Sequence, residues 1–365
     1  MKNKRVLVAP DSFKGTLHAA AVARTICSSL GRLGIKYDSM PMSDGGEGFA
    51  DVIAEAIEDG CERNAQVSSH TATVTGPAGN NVLARYYQVD ETGQPMTAIM
   101  DCASASGLAL AGGVENNDPI IATSRGTGEL ISDAINSGAQ VVLVGLGGSA
   151  TTDGGKSAVE AVNNLCKPDD VKIIACYDVK THFTEAARVF APQKGATPEQ
   201  VDILDKRLKD LAGCYKAKYG IDVTGLTGGG AAGGLGGGLT LLGAELAPGF
   251  KVVAEYVHLE ERLKTADLVI TGEGRLDATS FNGKVVGSII EMANGIGIPV
   301  AVIAGSIDAR IAAEQLWAAG SNDARRTDMS KSPVRVISLE EQFGKDESFT
   351  DTAGCIERAV DTVCG

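Results

Sequence analysis

Six carboxylates stand in or beside glycine-containing stretches of this sequence: Asp11, Asp44, Glu47, Asp153, Glu273 and Asp277. Lys14 and Arg275 lie within a few residues of them, and Arg125 is a third cation in a glycine-containing segment. Carboxylates beside glycines that admit a phosphate to the backbone N–H groups call for a divalent cation, usually Mg2+. Phosphoryl transfer needs that set: metal and N–H donors for the phosphates, a carboxylate to take the acceptor's proton, and a cation for the substrate's charge.

The stretch SDGGEG, residues 43–48, poses the question most sharply. Phe49, Val52, Ile53 and Ile57 share one face of a helix that starts close behind it. As a helix cap, Asp44 would accept a backbone N–H and Glu47 would complete a capping box. A cap accounts for one Asp and leaves the glycine run unexplained. As chemistry, the glycines let phosphate or substrate approach, and Asp44 binds metal or acts as a base.

The stretch GLGGSATTDGG, residues 145–155, follows the apolar run Val141–Val144 and precedes a short helix. A glycine loop between strand and helix is a phosphate site, and Gly147, Gly148, Ser149, Ala150, Thr151, Thr152, Asp153 and Gly154 are its candidate contacts. A second reading stays open. Gly145, Gly147 and Ala150 fit the dinucleotide fingerprint G-x-G-x-x-A, with Asp178 after the next strand as ribose partner, which would make the protein an NAD-type oxidoreductase. For TGGGAAGGLGGGL, residues 227–239, tight small-residue packing and a ligand cradle are equally good accounts.

These loops need a scaffold that gathers them. Strand-like runs alternate with helical ones at both ends of the chain, and five strands (Arg5–Val8, Tyr37–Met42, Asp267–Thr271, Val300–Ala304, Val334–Ser338) suffice for one parallel three-layer sheet. Between them, Gln66–Val74, Val82–Gln88 and Thr97–Met100 read as an antiparallel meander before alternation resumes. The expectation is therefore a two-domain α/β protein. Residues 1–64 and 262–365 form a discontinuous parallel-sheet domain, and residues 65–261 an inserted mixed α/β domain carrying the glycine loop. Thr197, Pro198 and Gln200 predict the cap, first-turn proline and capping-box partner of a long helix. The stretch at 321–333 reads as a polar loop.

A chain of 365 residues with a net charge of −13 disfavours nucleic acid and anionic membrane as partners. No apolar run approaches membrane-spanning length and the N-terminus enters a strand directly, so the expected location is the cytoplasm. The eight cysteines show no metal-binding spacing and read as reduced thiols. The state of assembly stays open, a homo-oligomer included.

Nine blocks, APDSFKGTL, SDGGEG, TGPAG, ASGLAL, DPIIATSRGTGELI, GLGGSATTDGG, FAPQKGA, GGGAAGGLGGGL and TGEGRLDATSFNGKV, occur in family order across nearly the whole chain, which resembles the type 1 glycerate kinases. The resemblance implies a flavodoxin-like α/β domain with a large insertion, an active site in the cleft, and ATP- and Mg2+-dependent phosphorylation of D-glycerate, with 2-phosphoglycerate the favoured product. By their placement in the loops, Asp44, Asp277, Lys14 and Arg275 are the candidates for catalysis and Asp44, Glu47 and Glu273 for the metal. Ser12, Lys14, Arg125 and Asp178 are the candidate substrate contacts. The chain departs from the family where Cys166 to Val171 joins two elements almost directly, and where Tyr177 is inserted before Asp178, Val179, Lys180, Thr181, His182 and Phe183. A non-catalytic small-molecule binder descended from the kinases is a further alternative.

Overall fold

The computed structural model describes residues 4–59, 65–166, 170–308 and 334–365. The polar stretch at 321–333 lies outside them, as does part of the short join after Cys166. Among the described residues eleven strands run in chain order: β1 (Arg5–Val8), β2 (Lys36–Ser39), β3 (Ala65–Thr75), β4 (Asn81–Glu91), β5 (Thr97–Asp101), β6 (Val141–Gly145), β7 (Lys172–Tyr177), β8 (Glu245–Pro248), β9 (Leu268–Leu276), β10 (Val300–Ile307) and β11 (Val334–Ser338). They form two sheets. Contacts divide the chain into two compact units, Met1–Asp44 with Val253–Gly365 and Gly45–Val252.

The first unit holds the five strands expected from the two chain ends, all parallel, in the order β2-β1-β9-β10-β11. Counted within the unit this is the 2-1-3-4-5 order of a flavodoxin-like sheet, whose direction of winding switches between β1 and β9. Val6 and Val8 pack with Ile270 and Ile303 against Val22, Ile26 and Leu30 of the helix Ala19–Arg32 and Ile356 and Val360 of the helix Thr352–Cys364. The alternate residues Leu7, Val269 and Val302 are also buried. Both faces of the sheet are covered, which is why its strands read as continuous apolar runs.

The second unit is a six-stranded mixed sheet, β3-β4-β5-β6-β7-β8, antiparallel through β5 and parallel from there. The meander is therefore part of one sheet with the later strands. Its core gathers Tyr86, Met100, Leu130, Val142 and Val144. The helix Pro198–Tyr219 opens on Thr197 with Gln200 completing the capping box, as the spacing predicts.

Two features differ from the sequence reading. The division falls at Asp44/Gly45 and Val252/Val253 in place of 64/65 and 261/262, because the helix Phe49–Asp59 packs on β3, β4 and β5. That helix also begins at Phe49, so Asp44 and Glu47 do not occupy its cap positions. The carboxylate at its N-terminus is Asp101, at the end of β5, which accepts the Ala50 N–H at 3.4 Å and the Phe49 N–H. Seven described cysteines are free thiols, most of them buried. No helix among the described residues is long and apolar enough to cross a membrane.

Candidate functional site

The carboxyl ends of β1, β2 and β9 collect acids in the first unit. Beyond β1 the chain stays tied to its neighbours: Asp11 N–H donates to Gly272 C=O at 2.8 Å and Met42 N–H to Pro10 C=O at 2.9 Å. These bonds hold Asp11, Asp44 and Glu273 beside the switch between β1 and β9. Asp44 is only 6% exposed. Burial, followed by the charge of Asp44, raises Asp11 from 3.8 to about 8, against the Ser12 N–H that Asp11 accepts at 2.6 Å. Burial likewise raises Glu273 to about 7, with Ser280 and Lys284 opposing and the charges of Asp277 and Asp44 adding to it. The Glu273 Oε1 is buried without a hydrogen-bond partner. Three carboxylates thus repel one another in a place poor in water. Among the described residues no three histidine, cysteine or acidic side chains converge closely enough to hold a metal ion by themselves.

A raised carboxyl value in the folded state has a consequence for stability. The fold keeps protons that the unfolded chain releases near pH 4, so stability falls as pH rises towards 8, by at most about 1.4 kcal/mol per group per pH unit. Melting temperature is expected to decline between about pH 5 and 8 and to level off above that, and Asp11→Asn to flatten the decline. An unchanged slope in the variant would show that Asp11 does not hold the extra proton.

The other first-unit candidates are placed differently. Asp277 accepts the Thr279 N–H at 2.8 Å and the Thr279 hydroxyl, capping the turn Ala278–Phe281; burial works against its ionisation, but these bonds leave its value below the usual one. Arg275 is 63% exposed in its side chain and pairs with Asp308 at 3.0 Å. Lys14 borders a cavity of about 530 Å3 with Phe13, Gly274, Ser306, Lys345 and Phe349.

In the second unit the opening glycines receive a packing explanation. SDGGEG crosses GLGGSATTDGG backbone to backbone: Gly147 N–H donates to Gly45 C=O at 3.2 Å, and a Cβ on Gly147 would overlap Gly46 Cα. Gly145 leaves room for Asp101 Oδ1 and Phe49, Gly154 for Phe183 and Leu211, and Gly155 for Leu235 and Gly238. Those glycines serve contact within the protein. Gly148 is different, being exposed and left-handed at φ +72°, with Glu47 the nearest acid. Glu47 therefore belongs to this unit, while Asp44 and Glu273 belong to the first.

The rest of the loop is clamped. Asp153 accepts the Ser124 N–H at 2.9 Å and hydroxyl at 2.8 Å. Thr151 and Thr152 are fully buried, and Thr152 Oγ1 has no partner. Lys194 Nζ donates to Ser149 Oγ at 2.9 Å and to Thr151 C=O at 2.7 Å, while the Asn117 amide bridges Ala150 C=O and Lys194 C=O. Asp178 is half-buried, and its charge reaches Lys194. Arg125 is exposed and bonds to Glu129 at 2.8 Å. The stretch 227–239 proves to be packing: Gly233 meets Thr151, and Gly234 and Gly238 meet Gly154. The dinucleotide fingerprint does not hold, since it requires a helix opening at its third position and the helix here begins at Lys156, six residues beyond Ala150.

Sequence reasoning therefore missed Lys194, Asn117, Asp101 and Lys284. Lys194 and Lys284 stand inside FAPQKGA and TGEGRLDATSFNGKV, so a signal existed; Asn117 and Asp101 are recognisable only from long-range hydrogen bonds.

The glycerate kinase family matches residues 6–170 and 163–336. A relative from Escherichia coli (strain K12), glycerate 2-kinase, is 38% identical over 338 residues, covering 83% of this chain and 85% of its own. The glycerate kinase of Halalkalibacterium halodurans is 34% identical, covering 95% of this chain and 96% of its own. A crystal structure from Salmonella typhimurium LT2, assigned as glycerate kinase 2, superposes with a TM-score of 0.73 at 31% identity over 99% of this chain and 97% of that one.

Proposed function

The chain belongs to the glycerate kinase family, and from that premise we propose that it transfers the γ-phosphoryl group of ATP to D-glycerate with Mg2+, favouring 2-phosphoglycerate. The observation that carries the reading is the buried group Asp11, Asp44 and Glu273, in which burial first, and the charge of Asp44 after it, raises Asp11 and Glu273. Such a donor set fits a hard divalent cation, as does the unpartnered Glu273 oxygen. Asp44 and Glu273 would hold it, and phosphate oxygens and water would complete the shell. Held there, a cation would supply neutralisation of the charge developing on the transferred group.

Asp44 accepts the proton of the attacking hydroxyl as its oxygen bonds to phosphorus and the bond to the ADP oxygen breaks. Lys14, beside Asp11, offsets the charge of the glycerate carboxylate, with Ser12 proposed as a further substrate contact. Of the loop from Gly147 to Gly154, the part at Gly148, its exposed member, is proposed to meet the nucleotide phosphates, with the flanking glycines packed to hold it. The name of the Escherichia coli relative, glycerate 2-kinase, supports the 2-phosphate product.

Lys14→Met is expected to lower kcat/KM more than tenfold, as a charged contact of about 1.5 to 3 kcal/mol would. Arg275→Met, starting from an exposed pair with Asp308, is expected to cost less. Equal, near-wild-type kinetics for both would return these cations to the surface. The reading as a whole is tested by ADP release across small hydroxy acids, with and without EDTA. Release that requires D-glycerate and Mg2+ supports it; binding of both substrates without ADP release would favour the non-catalytic binder.

A further inference from the structure

The second unit buries a cation that it does not pair. Lys194 is 5% exposed, and its ammonium meets two neutral acceptors, Ser149 Oγ at 2.9 Å and Thr151 C=O at 2.7 Å. Another buried charge of this unit is treated otherwise: Asp205 is held between Arg188 at 3.0 Å and Lys209 at 2.8 Å. Among the described residues no carboxylate lies within ion-pair distance of Lys194. An ammonium taken from water without a counter-charge is costly, and it persists where something else supplies the charge.

The surroundings say what that is. An ammonium carries three donors, of which two are used, and Ser149 accepts from Lys194, leaving its own hydroxyl proton for an acceptor. Thr152 Oγ1, in the same loop, is buried and unpartnered. Gly148, next to Ser149, is exposed. We propose that Lys194 is the cationic floor of an oxyanion site, binding a phosphoryl group of the nucleotide together with the Ser149 hydroxyl at the Gly148 opening of the loop. The inference rests on the reading of residues 147–154 as the phosphate loop, and adds to it the charge that glycine backbone lacks.

The groups facing the ammonium are Cys102, Asp153 and Asp178. Burial pushes the Cys102 thiol up, so it stays neutral. Burial also lowers Lys194 to about 8, against the three groups named. An anion must therefore find the lysine protonated, and its affinity is expected to fall about tenfold per pH unit above 8.

The test uses the full chain and calorimetric titration with sulfate, a tetrahedral dianion whose charge does not change between pH 6.5 and 9.5, and with MgADP. Wild type is expected to bind both competitively, with sulfate affinity flat below pH 7 and falling above 8. Lys194→Met and Lys194→Gln are expected to bind both more than tenfold more weakly and without the pH slope; Gln keeps a donor for Thr151, so it covers a folding failure of Met. Affinities within twofold of wild type would make Lys194 a brace of the loop and leave the phosphate-loop reading standing. A flat wild-type pH profile would likewise remove it as counter-charge. Loss confined to sulfate would assign the site to free phosphate and overturn the nucleotide. Failure of wild type to bind either probe would sink the loop reading and this inference together.

Discussion

Asp44→Asn is expected to lower kcat by about 10^2- to 10^4-fold, the range of a lost general base, while leaving the fold at least as stable near pH 8. Asparagine occupies the same volume but neither takes a proton nor holds a divalent cation well. The stability half of the expectation comes from the neighbours. Asp44 adds to the burial that raises Asp11 to about 8 and Glu273 to about 7, so removing its charge relieves both. A thermal melt beside steady-state kinetics decides between this and a structural role. Normal turnover with a lowered melting temperature would show that Asp44 serves the fold.

The second large effect concerns adjacent glycines with different duties. Gly147→Ala puts a Cβ onto the Cα of Gly46, backbone against backbone with no side chain to yield. The expected cost is about 3 kcal/mol or more, or about 6 to 12 °C in melting temperature. Gly148→Val meets softer neighbours, with Ala103 Cβ at 3.1 Å, but must hold φ near +72°. Strain of about 1 to 2 kcal/mol is expected there, together with a tenfold or greater rise in KM for ATP and no matching change for glycerate. A rise confined to glycerate would mean that the loop serves the acceptor. Equal melting temperatures for the two variants would contradict the crossing of the two loops.

How much of this was legible in the sequence varies with the range of the interaction. Runs such as RVLV and VAVIA announce covered parallel strands because their pattern is local, and Thr197, Pro198 and Gln200 announce a helix start for the same reason. The glycines of SDGGEG are legible only in part, for the opposite reason. Composition shows that a backbone comes close to something, and only the fold shows that the something is another loop of the same chain. Asp101 caps a helix from 51 residues away, which no local pattern announces. Lys194 was visible in FAPQKGA as a lysine, but a lysine is ordinarily at the surface; its burial against Ser149 and Thr151 is a tertiary fact.

The identity of the product tests phosphoryl transfer through Asp44 most directly. Incubating the protein with ATP, Mg2+ and D-glycerate and following carbon and phosphorus NMR should show one phosphoester forming at carbon 2 in step with ADP. The same reaction with Asp44→Asn should show none over that period. A phosphoester at carbon 3 would refute the regiochemistry. No phosphoester from wild type, or undiminished formation by the variant, would contradict phosphoryl transfer through Asp44.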